Sequence, residues 1–355
     1  MEIRGRPRIA DVARQAGVSK TAVSFAFNSP ERLSLDTATR IRDVAESLGY
    51  RPHPVARMLT EGQTWNIGIL TPQALSVVFG NPFFGAFAQG VAAIAEEAGY
   101  GLLFVSPVHG SLARAVGRAT VDGFVALGLP GLHPEVEQIR GASLPIVMVD
   151  SAAFPHNSSV DVDDEGGARL AAEHVLSLGH RDVLVIGIEP PAPTTELEEG
   201  GTVDRRLAGY RAAFAAHGLA LEDDRVVVGP ATLGGGAECL TSAWEDGLRP
   251  TAVLVMSDVM AVGVVAAARR LGLSVPRDLS VVGFDDIDLA SSIDPPLTTV
   301  HQPVHEKGAE AARLLLAAVG QGRDSHPAHR TLSTRLVVRG STAVPPDRGE
   351  VVGGI

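Results

Sequence analysis

A small all-α helix-turn-helix head, followed by an α/β body of two doubly wound parallel-sheet subdomains, is the architecture this sequence predicts. Three observations carry it. Charge is split along the chain. The 355 residues hold 30 Lys+Arg against 41 Asp+Glu, a net of −11, yet residues 1–60 contain ten basic and six acidic residues and the remainder carries −15. Apolar residues recur at helical spacing through residues 9–48. From residue 65 onward, short apolar runs alternate with helical stretches, the pattern of parallel sheets covered on both faces. A +4 head on an acidic body points to a polyanion-binding element. The length exceeds one ordinary core, and 45% hydrophobic content excludes global disorder.

In the head, Ile9, Val12, Ala13 and Ala16 mark a first helix that ends at Gly17. Ser19 starts a second, with Val23, Ala26 and Phe27 on its inner face, and glycine between the two suits a turn that needs positive φ. Ser34 caps a third, whose inner stripe is Ile41, Val44, Ala45 and Leu48. A second helix lying in a major groove presents its outer face to base edges. Lys20 and Thr21 are then the candidates for reading bases, Ser19 and Ser24 for holding phosphate, and Phe25 and Asn28 for completing that surface. A three-helix bundle with a merely solvated polar face is the competing reading, and the basic charge argues against it.

The stretches "IADVARQAGVSKTAVSFAFN" and "RIRDVAESLGYRPHPVARML" closely resemble the lac repressor (LacI/GalR) family of bacterial transcriptional regulators. The likeness resumes at "NIGIL", "NPFF", "RRLAGY", "SDVMAVG", "SVVGFDDI" and "PPLTTVHQP", covering residues 8–343 in order. Two departures stand in the head: Phe25 occupies a position where the family usually shows a polar base reader, and Arg8 replaces the usual Thr cap. Residues 51–64 then read as a hinge. Pro52 and Pro54 stop the third helix, and a helix as short as Val55–Leu59 is marginal alone. The resemblance implies that this segment orders on operator DNA, with Leu59 wedged into the minor groove, Ala56 near its floor and Arg57 at phosphate. An ordinary linker is the alternative.

Strands are expected at 65–71, 102–106, 123–127, 145–149, 182–187, 225–228, 252–256 and 280–284. Helices are expected at 84–98, 164–178, 204–217, 257–271 and 304–319. Two successive halves of this kind resemble the periplasmic-binding-protein-like pair of subdomains, in which the chain crosses three times. Crossings near 164, 295 and 328 give an N-subdomain of 65–164 and 296–327, a C-subdomain of 165–295 and 328–345, and a disordered tail at 346–355. Ligands in such folds bind at the carboxyl ends of strands. The cleft candidates are Asn81, Phe83, Phe84, Asp163, Arg206, Asp258, Asp285 and Gln302. Phenylalanine faces can stack a ring, arginine can clamp polar oxygens, and a carboxylate can accept two hydroxyl hydrogens. Each acid can equally cap a helix, and Arg206 can pair with Asp204 or Glu199. Ser257 stands in place of the family's usual Asn, and Ala231 in place of an aromatic.

No catalytic spacing appears. The eleven histidines show no H-E-x-x-H, the single Cys239 excludes a disulfide or a cysteine-built zinc site, and no nucleophile motif is present. No metal or cofactor is expected. No run of about 18 apolar residues is present to span a membrane, and without a signal peptide the expected location is the cytoplasm. Lysine is confined to Lys20 and Lys307, which reads as genome composition. The function expected is a regulator, most simply a repressor, that binds a pseudo-palindromic double-stranded operator as a homodimer under control of a small-molecule effector of the carbohydrate class. The tail has no leucine heptad for a tetramer. A solute-binding protein for uptake fits the body alone, as does a sugar-active enzyme, but neither explains a basic helical head.

Overall fold

The computed structural model describes residues 7–51, 58, 62–131, 133, 135–141, 144–151, 157–190, 199–321 and 326–347. The chain divides into two compact units, Met1–Thr64 and Trp65–Ile355.

The first unit holds α1 (Ile9–Ala16), α2 (Lys20–Asn28) and α3 (Leu35–Ser47). Gly17 ends α1 at φ 67°, turning the chain at little cost. With arginine at the cap position of α1, the Asp11 carboxylate accepts the Arg8 N–H at 2.9 Å, so an acid in the first turn does the capping. Ser19 accepts from Ala22 N at 3.1 Å and Ser34 from Thr37 N at 3.3 Å, fixing the starts of α2 and α3. Val12, Ala13, Ala16, Val23, Ala26, Ile41 and Ala45 form the core. Phe27 is only half-buried and packs on the Tyr50 ring, 6.0 Å between centroids.

The second unit contains two six-stranded sheets. Its first half runs β1 (Asn66–Leu70), α4 (Leu75–Gly80), α5 (Pro82–Glu97), β2 (Gly101–Val105), α6 (Leu112–Val116), β3 (Phe124–Leu127), α7 (Val136–Arg140), β4 (Ile146–Val149) and β5 (Ser158–Val162). The second half runs α8 (Asp164–Ser177), β6 (Val183–Ile188), α9 (Thr202–Ala216), β7 (Val226–Gly229), α10 (Leu233–Glu245), β8 (Ala252–Val255), α11 (Asp258–Arg270), β9 (Ser280–Asp285), α12 (Asp288–Ser292) and β10 (Thr298–His301). The chain ends with α13 (Val304–Gln321), β11 (His329–Leu332) and β12 (Arg335–Val337). Sheet order is β11-β5-β4-β3-β1-β2 in one subdomain and β12-β10-β9-β8-β6-β7 in the other, with only β12 antiparallel.

Two of the three crossings fall later than expected. The first is at Asp163, between β5 and α8. The second follows β10, whose Thr299 pairs with Gly283 and whose Thr298, Thr299 and Val300 are buried, so residues 298–301 belong to the C-subdomain. The Pro295-Pro296 break leads into β10 and does not mark the crossing. The third follows β11, whose Thr331 pairs with Asp161, placing 329–332 in the N-subdomain. Helices α5 and α13 touch backbone to backbone: a Cβ on Gly90 would sit 1.9 Å from the His305 carbonyl oxygen. Glycine at this point lets α13 lie on the N-subdomain and hold the second crossing in place. Of the tail expected to be disordered, residues 348–355 lie outside the described residues.

Candidate functional site: a helix surface and an interdomain cleft

In the head, Ser19, Lys20 and Thr21 are exposed at the N-terminal end of α2, while Ser24, Phe25 and Asn28 are half-buried on the same helix. Asn28 Nδ2 donates to Ser24 Oγ at 3.4 Å, and the Arg32 guanidinium lies 5.1 Å from the Phe25 ring centroid. The helix end, a lysine and two hydroxyls thus form one polar, basic surface suited to phosphate and base edges. The hinge candidates Val55, Ala56, Arg57 and Leu59 lie outside the described residues.

In the body a cavity of about 200 Å³ opens between the subdomains, and Asn81, Phe83, Phe84, Arg206, Asp285 and Gln302 all border it. Asn81 caps α5 by accepting from Phe83 N at 3.0 Å, and its Nδ2 reaches the Ala231 carbonyl of the other subdomain at 3.4 Å. Phe83 and Phe84 meet edge to face, 5.7 Å between centroids. Asp285 ends β9 at φ 128°, a strained backbone that turns its carboxylate into the cleft. There Oδ1 accepts from Gln302 Nε2 at 2.5 Å and Oδ2 from Ser257 Oγ at 3.3 Å.

Two expected contacts are not brought to the cavity. Asp163 is the cap of α8, accepting from Gly166 N at 2.9 Å. Asp258 is fully buried behind the wall, where it accepts from Thr299 Oγ1 at 2.5 Å and Ile287 N at 3.1 Å and ties α11 to β10 and to the loop after β9. Both do the capping and tethering that carboxylates at helix starts do elsewhere.

Arg206 pairs with neither Asp204 nor Glu199. Its Nε donates to Asp164 Oδ1 at 2.8 Å, its Nη1 donates to the Met256 carbonyl, and its guanidinium stacks 3.6 Å over the Phe284 ring. Asp164 Oδ2 takes two further bonds from Arg205, at 3.1 and 2.8 Å. Burial alone would push the Asp164 carboxyl up, but Arg206, Arg205 and Lys307 together hold it below the ordinary carboxylate range. Asp150 and Lys307 were not anticipated. Lys307 is fully buried, and its ammonium donates to Asp150 Oδ1 and Oδ2 at 2.8 and 2.7 Å and to Gln302 Oε1 at 2.5 Å. The strand-end rule that picked out the other acids also applies to Asp150, which directly follows β4.

Burial pushes the Asp258 and Asp285 carboxyls up, and the charge of Asp285 adds to the rise at Asp258. An unfolded aspartate ionises near pH 4, so over the interval to about 7 the folded chain binds the extra proton. Stability contributed here therefore falls as pH rises through that window. Relative to the wild type, Asp258→Asn should gain about 1–3 kcal/mol between pH 4 and 7. Urea denaturation at several pH values checks this, and a pH-independent difference would refute it.

Residues 8–53 match the family model for bacterial regulatory proteins of the lacI family, and residues 172–342 match that of the periplasmic binding protein-like domain. An HTH-type transcriptional regulator of Mycolicibacterium smegmatis is 35% identical over 96% of this chain and 97% of its own length. Among solved structures, a lac repressor dimer bound to operator and the anti-inducer ONPF aligns with TM-score 0.77 at 26% identity, covering 96% of this chain and all of that one. The complex of the transcriptional regulator CelR with cellobiose aligns with TM-score 0.70 at 28% identity, over 95% of this chain and all of that one. Among the described residues no helix is long and apolar enough to cross a membrane. Related along nearly its whole length and built as a helix-turn-helix head with paired α/β subdomains, the chain belongs to the lacI family of bacterial DNA-binding transcriptional regulators.

Proposed function

We propose that the chain is a repressor whose homodimer binds a pseudo-palindromic operator and releases or tightens on it when a carbohydrate enters the cleft. The carrying observation is the cavity itself. It faces Asp285, Arg206, Phe83 and Phe84 across one space, which supplies an acceptor, a donor fork and ring faces together. The cellobiose complex of CelR supports that class of ligand. A dimer fits the large apolar side chains left exposed on both subdomains, Leu75 and Phe79 on α4 and Leu233 on α10. In this reading ligand alters the closure of the cleft, which changes whether the paired hinge segments, with Leu59 as wedge, can order on DNA. Coupling of that kind requires unequal ligand affinity for the two conformations.

A gel shift with a pool of short palindromes selects the operator, and repeating it with sugars present tests control. Lys20→Ala should cost about 1–3 kcal/mol on the selected operator and much less on random DNA. Equal losses on both would show that Lys20 only meets phosphate. A chain that retards no palindrome would instead fit the solute-binding reading.

A further inference from the structure

The two buried cations at the floor of the cleft are already matched by carboxylates of the chain itself, and from this we infer that the cleft takes an electrically neutral, polyhydroxylated ligand and excludes phosphate esters and uronic acids. The inference rests on the proposed effector site and narrows its ligand class.

An ammonium has three donors, and those of Lys307 are occupied by the two oxygens of Asp150 and by Gln302 Oε1. Arg206 is matched by Asp164, which the Arg205 side chain also clasps. Asp161, 3.7 Å from Arg205, adds another carboxylate to that group. Among the described residues, the other charged side chains bordering the cavity are acids, Asp285, Glu189 and Asp150. An anionic group entering here would lose its water, meet no free positive charge and face Asp285.

Neutral hydroxyls meet the opposite situation. Arg206 has five N–H donors, and among the described residues only Nε and Nη1 have protein partners. The others can donate to hydroxyl oxygens while Asp164 keeps the net charge near zero. Among the described residues the Asp285 carboxylate accepts from the Gln302 and Ser257 side chains and from the Asp258 backbone, and its two oxygens still have lone-pair capacity for hydroxyl hydrogens. Hydroxyls that can both accept from the guanidinium and donate to the carboxylate satisfy both sides. The Phe83 and Phe84 rings supply the apolar face.

The test is thermal shift and calorimetry on the full chain with matched probes: a library of neutral sugars, glycosides and nucleosides, each beside its phosphate ester or uronic acid. For sugars the 1- and 6-phosphates are both included, so that an ester held in solvent is recognised. The expected result is that a neutral member protects the protein and every charged partner binds about 100-fold more weakly or worse. Asp285→Asn should weaken the neutral ligand and shrink that gap, because it removes the facing negative charge. An anionic member that binds as tightly as its neutral partner overturns the inference while leaving the effector site intact. A library in which no member, neutral or charged, protects the chain overturns the effector site itself.

Discussion

Lys307→Met is expected to lower the unfolding free energy of the chain by about 3–5 kcal/mol at neutral pH, as breaking one partner of a buried pair does. The reason lies in where the ammonium sits. Lys307 is 0% exposed, in the first turns of α13, and its three donors bind Asp150 at the end of β4 and Gln302 at the crossing from β10. Methionine has similar length and keeps the packing against Phe83, so the loss reports the charge and not a cavity. Asp150 would remain almost buried, without its counterion, on a backbone held at φ 51°. Removing both charges with Lys307→Met and Asp150→Leu should return much of the loss, since a buried pair is costly to break and far less costly to replace. Gln302 would also lose the partner that orients it toward Asp285, so the neutral ligand should bind more weakly in the single variant. A single-variant loss below about 1 kcal/mol, the range of exposed pairs, would show that water reaches this ammonium.

Most of the architecture can be read from the sequence because apolar runs with helical or alternating spacing declare themselves. The strands β1 to β4 and β6 to β9 are such runs, and six of the eight cleft candidates border the cavity. What was not legible has a common cause. Strands β5 ("SSVDV"), β10 ("TTVH"), β11 ("HRTL") and β12 ("RLV") are short and polar, and they form only because a neighbouring strand offers its edge. They are also the segments that fix the crossings, so the second and third crossings moved with them. Among charged residues, sequence position does not distinguish a cap from a ligand contact. Asp163 and Asp285 both stand at strand ends, and only the tertiary neighbours send one to Gly166 N and the other into the cleft. Lys307 carried a signal that composition obscured: the body holds a single lysine, and it is fully buried beneath the cavity.

Arg206→Ala should have the larger consequence for regulation. The substitution removes the donors facing the cavity, the bond to the Met256 carbonyl and the stack on Phe284. Each charge-assisted hydrogen bond to a ligand is worth about 1.5–3 kcal/mol, so losing two of them weakens a neutral sugar by roughly 10²–10⁴-fold. Operator binding without ligand should survive, because the head folds around its own core and Arg206 belongs to the other compact unit. Stability should fall less than in the lysine variant, since Asp164 keeps Arg205 as a partner after the change. The acid side carries its own signature. With Arg206 present, the Asp164 carboxyl is held below its ordinary range, so the stability it contributes is present above the unfolded value near pH 4 and is lost as pH falls through the lower folded value. Without Arg206 the folded value moves back towards the unfolded one, so this carboxyl should cost the variant less stability on acidification than it costs the wild type, and the acid dependence becomes shallower. A variant that answers the ligand as the wild type does would remove Arg206 from the binding site, and one that loses operator affinity without ligand would show that the residue acts on the coupling of the two units. The combination expected, a silent cleft, a competent head and a shallower acid dependence, would have a single physical source: one guanidinium that is the counterion of a buried carboxylate and, in the proposed site, the donor to the ligand.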